Sequence, residues 1–150
     1  MHIVLVEPEI PQNTGNVARL CVLTESPLHL AGKLGFSTSD YYLRRAGLDY
    51  WDFLTVSYHE SLEELVLAFP ARRFFFVSTK ANQLYTQVRY QSDDFLVFGS
   101  ESRGLPRSWI DSNPERSVRI PMWGRQPRSH NLSNSVAIVL YEALRQIHGF

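Results

Sequence analysis

The sequence predicts an α/β fold: a single domain spanning residues 1–150, with a mostly parallel sheet of about six strands flanked by helices. Three observations carry this expectation. Short apolar runs alternate along the chain with longer segments whose apolar residues recur at helical spacing. Several runs are apolar at every position, the pattern of strands buried on both faces. Three polar, glycine-bearing segments each stand between a strand-like and a helix-like run, where open α/β sheets hold their ligands.

Ile3–Val6 is the first continuous apolar run and reads as a strand. Asn13–Thr24 follows as a helix, with Val17, Leu20, Cys21 and Thr24 on one stripe and Asn13 as its cap. Leu28–Ala31 is the second strand. Ser37-Thr38-Ser39-Asp40 reads as a cap before a helix over Tyr41–Ala46, ended by Gly47. Phe53–Tyr58 is the third strand. Ser61 and Glu64 form a capping box, opening a helix that runs to Phe69 and stops at Pro70. Arg73–Ser78 and Phe95–Phe98 are further strands, and Pro106 offers a helix start. Ser117–Ile120 is the last strand, broken by Pro121. Trp123–Arg128 reads as the most mobile loop. Asn131–Ile147 is the longest helix, with Leu132, Val136, Ala137, Leu140, Ala143, Leu144 and Ile147 at helical spacing and Gly149 just beyond its end.

Composition narrows the function classes. With 44% hydrophobic and 20% charged residues, the chain reads as an ordinary soluble globular protein. No apolar run approaches the roughly 20 residues of a membrane span, so no membrane partner is expected. The N-terminus lacks the basic region of a signal peptide, and the single Cys21 excludes an internal disulfide; both fit a reducing cytoplasm. Net charge is zero, which leaves no global nucleic-acid footprint. Yet all the basic residues except Lys33 and Lys80 are arginines, the residue of bidentate phosphate contacts. Between Arg103 and Arg128 the arginines face only Asp111 and Glu115; this is either a phosphate-binding strip or a solvated basic face.

Several familiar sites are excluded. Gly99 to Gly104 has P-loop glycine spacing but lacks the following Lys-Ser/Thr, and no Gly-x-Gly-x-x-Gly follows the first strand. No Gly-x-Ser-x-Gly elbow exists. The histidines show no metal spacing and one cysteine cannot build a zinc site, so no metal is expected. Cys21, on the apolar stripe of its helix, reads as a buried structural thiol.

Three segments remain. In the first, Glu7-Pro8-Glu9-Ile10-Pro11-Gln12-Asn13-Thr14-Gly15-Asn16-Val17-Ala18-Arg19, a glycine in the first helical turn costs roughly 1 kcal/mol relative to alanine. That cost points to a close approach by backbone or substrate, or to packing. Asn16 and Arg19, three apart, share a face that is either functional or simply solvated. In the second, glycine directly after the strand Phe95–Phe98 lets backbone amides approach a ligand, and Glu101 is placed to hold a ribose hydroxyl or orient Arg19; a plain turn is the alternative. In the third, Ser129, Asn131, Ser133, Asn134 and Ser135 crowd one helix N-terminus where a single cap would suffice, which favours a polar ligand over excess capping. Separately, Leu43-Arg44-Arg45-Ala46-Gly47-Leu48-Asp49-Tyr50-Trp51 combines arginines with aromatics, a mix suited to RNA or to a surface helix end with a hydrophobic anchor.

Taken together, Asn13-x-Gly15-Asn16-x-x-Arg19, Phe98-Gly99-x-Glu101-x-x-Gly104-Leu105-Pro106 and Asn131-Leu132-Ser133-Asn134-Ser135-Val136-Ala137 resemble, in order and spacing, the three motifs of the SPOUT methyltransferases. The opening Glu-Pro-Glu-Ile-Pro-Gln-Asn segment and the Leu-Arg-Arg-Ala-Gly-Leu-Asp-Tyr segment resemble the group that methylates the ribose 2′-hydroxyl of the tRNA wobble nucleotide. The resemblance implies an α/β sheet whose C-terminal part forms a deep trefoil knot, and a homodimer with the substrate site shared between subunits. It implies S-adenosylmethionine as cofactor, S-adenosylhomocysteine as product and no metal. The substrate implied is cytidine or a modified uridine in the anticodon loop of tRNA, with leucine tRNA expected.

By the motif match the cofactor pocket would use Val77, Ser78, Thr79, Gly99, Ser100, Glu101, Gly104, Ile120, Met122, Ser129, His130, Leu132 and Ser133. Arg19 matches the arginine that activates the ribose hydroxyl, with Asn13, Asn16 and Glu101 beside it as candidate catalytic residues. His130 departs from the methionine or leucine of the family pattern, a change that backbone contacts would survive. The expected reaction is in-line attack of a ribose 2′-oxygen on a sulfonium methyl, with Glu101 or a substrate phosphate assisting Arg19. RNA docking is expected at Arg44, Arg45, Arg103, Arg125 and Arg128. Tyr141, on the last helix, fits the core or a dimer interface. The alternatives are methylation of another tRNA or rRNA position, or a non-catalytic RNA-binding module.

Overall fold

In a computed structural model of the chain, residues 1–39, 41, 45, 50–125 and 128–150 are described. The elements are β1 (His2–Val6), α1 (Pro11–Leu23), β2 (Leu28–Ala31), β3 (Val56–His59), α2 (Leu62–Ala68), β4 (Phe74–Val77), β5 (Gln83–Leu84), β6 (Phe95–Phe98), α3 (Arg107–Ser112), β7 (Ser117–Arg119) and α4 (Leu132–His148), with single turns of 3-10 helix at Trp51–Phe53 and Pro114–Arg116. The described strands form one seven-stranded sheet in the order β3-β2-β1-β6-β4-β7-β5. Every pairing is parallel.

Alternate strand residues bury on opposite faces, which is why the runs are apolar throughout. On one face Ile3, Leu5, Leu28, Leu30, Phe75, Leu96 and Phe98 pack with Val17, Ala18 and Cys21 of α1 and Val136, Val139, Leu140 and Ala143 of α4. On the other, Val4, Val6, Ala31, Phe74, Phe76, Phe95 and Val97 pack with Leu62 and Leu65 of α2 and with Leu105 and Ile110. Each buried Val, Leu, Ile or Phe side chain among these contributes about 1.5–3 kcal/mol relative to exposure. Burial also pushes the Cys21 thiol up to about 12, leaving it without a reactive thiolate.

The expected strands and helices recur with local corrections. The sheet has seven strands, not six, because Gln83–Leu84 pairs with β7 without any apolar run to announce it. The third strand begins at Val56, not Phe53, since Trp51–Phe53 winds into a helical turn. Asn13 does not cap α1: the helix begins at Pro11, Ile10 is the N-cap with no side-chain bond, and Asn13 lies buried inside the first turn. Ser61 does cap α2, accepting from the Glu64 N–H at 3.1 Å. The helix expected over Tyr41–Ala46 lies outside the described residues, apart from the helical Tyr41 and Arg45. Gln126 and Pro127 of the expected mobile loop also lie outside them.

Two polar features brace the frame. Below the strands Arg73 grips Asp94 with two bonds, Nε–Oδ1 at 2.7 Å and Nη2–Oδ2 at 2.5 Å. Across β1, β2 and β3, His2, His29 and His59 form a chain: His2 Nδ1 to His29 Nε2 and His29 Nδ1 to His59 Nε2, each 3.0 Å. Burial first, then the flanking rings of His2 and His59, push the His29 pKa down to about 4.

What positions the site is a change of direction in the sheet. From β1 the chain runs through α1 to β2 on one side; β6 lies on the other side of β1, beside β4. The segment after β1 leads to the α1 face and the segment after β6 to the α3 face. The segments that follow β1, β4, β6 and β7 surround a crevice at the carboxyl ends of the strands.

Candidate active site

A cavity of about 390 Å³ occupies that crevice. Its walls come from the segments after β4 (Val77, Ser78, Thr79, Lys80), after β6 (Phe98 to Leu105) and after β7 (Ile120, Met122). Ser129, His130, Asn131, Leu132 and Ser135 at the start of α4, with Ile10 and Asn13 at the start of α1, complete them.

The β6 segment is folded tightly on itself. A Cβ on Gly99 would lie 2.1 Å from the Gly104 carbonyl carbon and 2.2 Å from the Leu105 nitrogen, so only glycine fits there. Gly104 closes the turn at φ +66°, its N–H donating to the Ser100 carbonyl at 2.8 Å.

This turn is fastened to the start of α1 by two carboxylates that exchange partners. Glu101 accepts from the Glu9 N–H at 2.8 Å and the Ile10 N–H at 3.0 Å, and from Asn13 Nδ2 at 3.1 Å. It thereby holds the two residues that lead into a helix whose own N-cap makes no side-chain cap bond. In return Glu9 accepts from the Ser102 hydroxyl at 2.6 Å and the Ser102 N–H at 3.0 Å, bonds that hold its carboxyl below the usual range. Arg103 lies 3.5 Å from Glu7, whose φ of +47° is rare for a residue with a side chain and marks the sharp exit from β1.

The third segment joins the same network. Asn131 caps α4, accepting from the Ser133 N–H at 2.9 Å and the Asn134 N–H at 3.4 Å. Its Nδ2 donates to Asn13 Oδ1 at 2.9 Å. A continuous path, Glu101–Asn13–Asn131, therefore links all three motif segments.

Among the residues singled out from the sequence for the cofactor, Val77, Ser78, Thr79, Gly99, Ser100, Glu101, Gly104, Ile120, Met122, Ser129, His130 and Leu132 all line the cavity. Ser133 does not; its hydroxyl and N–H both turn to Asn131 Oδ1, at 2.7 and 2.9 Å. Asn13 lines it and Asn16 does not. Glu101 grips the α1 start rather than orienting Arg19. Arg19 stands on the exposed face of α1, outside the cavity wall, with its guanidinium 5.0 Å from the centroid of the Tyr50 ring. Arg103 lines the cavity, Arg125 and Arg128 are exposed on the segment before α4, and Arg45 reaches the Tyr41 hydroxyl at 3.4 Å; Arg44 lies outside the described residues. Ile10, Lys80, Phe98, Ser102, Leu105, Asn131 and Ser135 are wall residues that sequence reading did not assign. Asn131 and Ser135 belong to the crowded start of α4, the one signal that pointed to them; Lys80 carries none.

Among the described residues no group of His, Cys, Asp or Glu is placed to hold a metal ion, and no helix is long and apolar enough to cross a membrane.

Comparison with known proteins agrees with this geometry. Residues 1–141 match the SpoU rRNA methylase family. The tRNA (cytidine(34)-2′-O)-methyltransferase of Escherichia coli (strain K12) is 47% identical over 148 residues, covering 98% of this chain and 94% of that protein. A solved structure concerned with the 2-OH methylation of C/U34 on tRNA superposes with a TM-score of 0.93 at 43% identity, covering 99% of this chain and 97% of that one. The SpoU methyltransferase AviRb from Streptomyces viridochromogenes, solved with AdoMet, shares the fold at a TM-score of 0.86 and 22% identity, over 97% of this chain and 60% of that one. A match that runs from β1 into α4, over the three segments that wall one cavity, means that the chain belongs to the SpoU rRNA methylase family.

Proposed function

We propose that the chain is an S-adenosylmethionine-dependent tRNA 2′-O-methyltransferase that modifies the ribose of the wobble nucleotide, cytidine or a modified uridine, in the anticodon loop. The reading includes a cytoplasmic homodimer with a C-terminal knot. One observation carries it: the path Glu101–Asn13–Asn131 gathers three motif segments around a single cavity. High-coverage relatives named for this reaction support it.

The wall residues fit the methyl donor. Val77, Leu105, Ile120 and Leu132 offer apolar surface for a flat base, while Ser78, Thr79, Ser100 and Ser129 offer hydroxyls for sugar and amino-acid groups. Gly99 keeps the backbone bare where any side chain would collide. When bound, S-adenosylmethionine supplies an electrophilic methyl on a sulfonium. The protein's part is alignment, which in well-oriented systems contributes about 7–11 kcal/mol. A guanidinium offers N–H donors and no acceptor, so Arg19 acts by holding the 2′-oxygen and stabilising the charge that develops there, while the hydroxyl proton passes to a phosphate of the RNA or to solvent as the methyl leaves the sulfonium. Arg19 also stands clear of its own chain's cavity, the placement a site shared across a homodimer requires.

Incubation with S-adenosylmethionine and bulk tRNA, followed by digestion and mass spectrometry, tests the reading. A 2′-O-methylated cytidine or uridine derivative mapping to the wobble position is the expected product, and Arg19→Ala should abolish it while leaving donor affinity within about twofold. Methylation of a different ribose, ribosomal RNA included, keeps the fold and discards the target; failure to bind the donor discards the enzyme.

A further inference from the structure

Trp123 is the most exposed large hydrophobic side chain among the described residues, at 88%. The other two tryptophans behave differently: Trp51 packs against the α1/α4 core, and Trp109 stacks on Phe76 with ring centroids 5.4 Å apart. Trp123 therefore does nothing for the fold. Its place in the chain is specific. It directly follows Met122, a residue of the cavity wall that is itself 41% exposed, so the chain that carries the indole borders the cavity while the ring itself stands outside the wall. The next residue, Gly124, has nothing within 4 Å of where a Cβ would sit, and Arg125 beyond it is exposed. The rim thus presents a flat, solvent-facing aromatic ring followed by a cation.

A ribose can reach the cavity only if its nucleotide leaves the stack of its loop, and an unstacked base seeks a flat partner. We infer that Trp123 is the platform on which the base of the target nucleotide stacks while its ribose enters the cavity. This rests on the proposed activity and adds a specificity element to it. Stacking reads the π face and not the hydrogen-bonding edge, so Trp123 selects for the presence of a base and leaves cytidine and uridine undistinguished.

The test uses an anticodon stem-loop RNA and the same RNA with an abasic ribose at the wobble position, measured for Kd and KM with the wild type, Trp123→Ala and Trp123→Phe. Trp123→Ala should weaken binding of the intact RNA about ten- to a hundredfold, the loss typical of a removed base–aromatic stack. Trp123→Phe should recover most of it, with donor affinity and Tm unchanged in both. The abasic RNA should bind wild type and Trp123→Ala equally, which a purely structural role would not produce. Equal binding of the intact RNA by wild type and Trp123→Ala overturns the inference, as does an abasic penalty that persists in Trp123→Ala. A change of oligomeric state in Trp123→Ala overturns it too, by assigning the ring to a subunit contact. Methylation of the stem-loop by wild type with no Trp123 effect sinks the stacking role alone; a wild type that neither binds nor methylates it sinks the activity as well.

Discussion

At the scale of single residues, the site depends on what is missing as much as on what is present. Gly99 has backbone atoms at 2.1 and 2.2 Å from where a Cβ would be. Gly99→Ala cannot be absorbed by a rotamer change, because the obstacle is main chain. It should destabilise the protein by about 1–3 kcal/mol or more and abolish donor binding, readable by thermal melting and calorimetric titration. The glycine was legible in the sequence because it follows a strand; the reason for it, a turn that closes on Gly104, was not, since that contact joins residues through space. Glu101 shows the same limit. Its presence marked a functional turn, but whether it faced substrate, Arg19 or the α1 start depends on packing between β1 and β6 that no spacing encodes.

At the scale of elements, α1 and α4 are coupled end to end. Asn131 serves both, as cap to its own helix and as donor to Asn13 in the other. These roles can be separated. Asn131→Asp keeps the acceptor for the Ser133 and Asn134 N–H groups but loses the donor to Asn13; Asn131→Ala loses both. Denaturant unfolding should find the alanine variant about 1 kcal/mol less stable and the aspartate variant close to wild type, while methyl transfer falls in both. The long helix and the buried strands were readable because their periodicity runs over many residues. β5, with two residues, and α3, with six, were below what periodicity can register. Asn13 looked like a cap because asparagine before an apolar stripe usually is one; Pro11 set the helix start earlier, and the Asn13 side chain bonds Glu101 and Asn131 instead.

At the scale of the molecule, the histidine chain ties three parallel strands of one half of the sheet and makes stability depend on pH. His29 titrates near 6.5 when unfolded and near 4 when folded, so between those values the unfolded chain holds more protons. Stability is therefore full above about pH 6.5 and is lost as pH falls towards 4, by about 2 kcal/mol between pH 7 and pH 5. Denaturant melts at the two pH values should show that slope, and His29→Gln should flatten it. The parallel architecture and the cavity's place at the strand ends followed from strand–helix alternation. The sheet order did not, because β6 inserts between β1 and β4 and nothing local announces an insertion. The two ends of the cavity also differ in how freely they can be rewritten. At Gly99 a new atom would collide with main chain, whereas at Gly124 a side chain would project into open water. A laboratory library confined to Trp123, Gly124 and Arg125 could thus search for new RNA clients while the methyl-donor chemistry stays fixed, so that retargeting this catalyst becomes a matter of redecorating its rim.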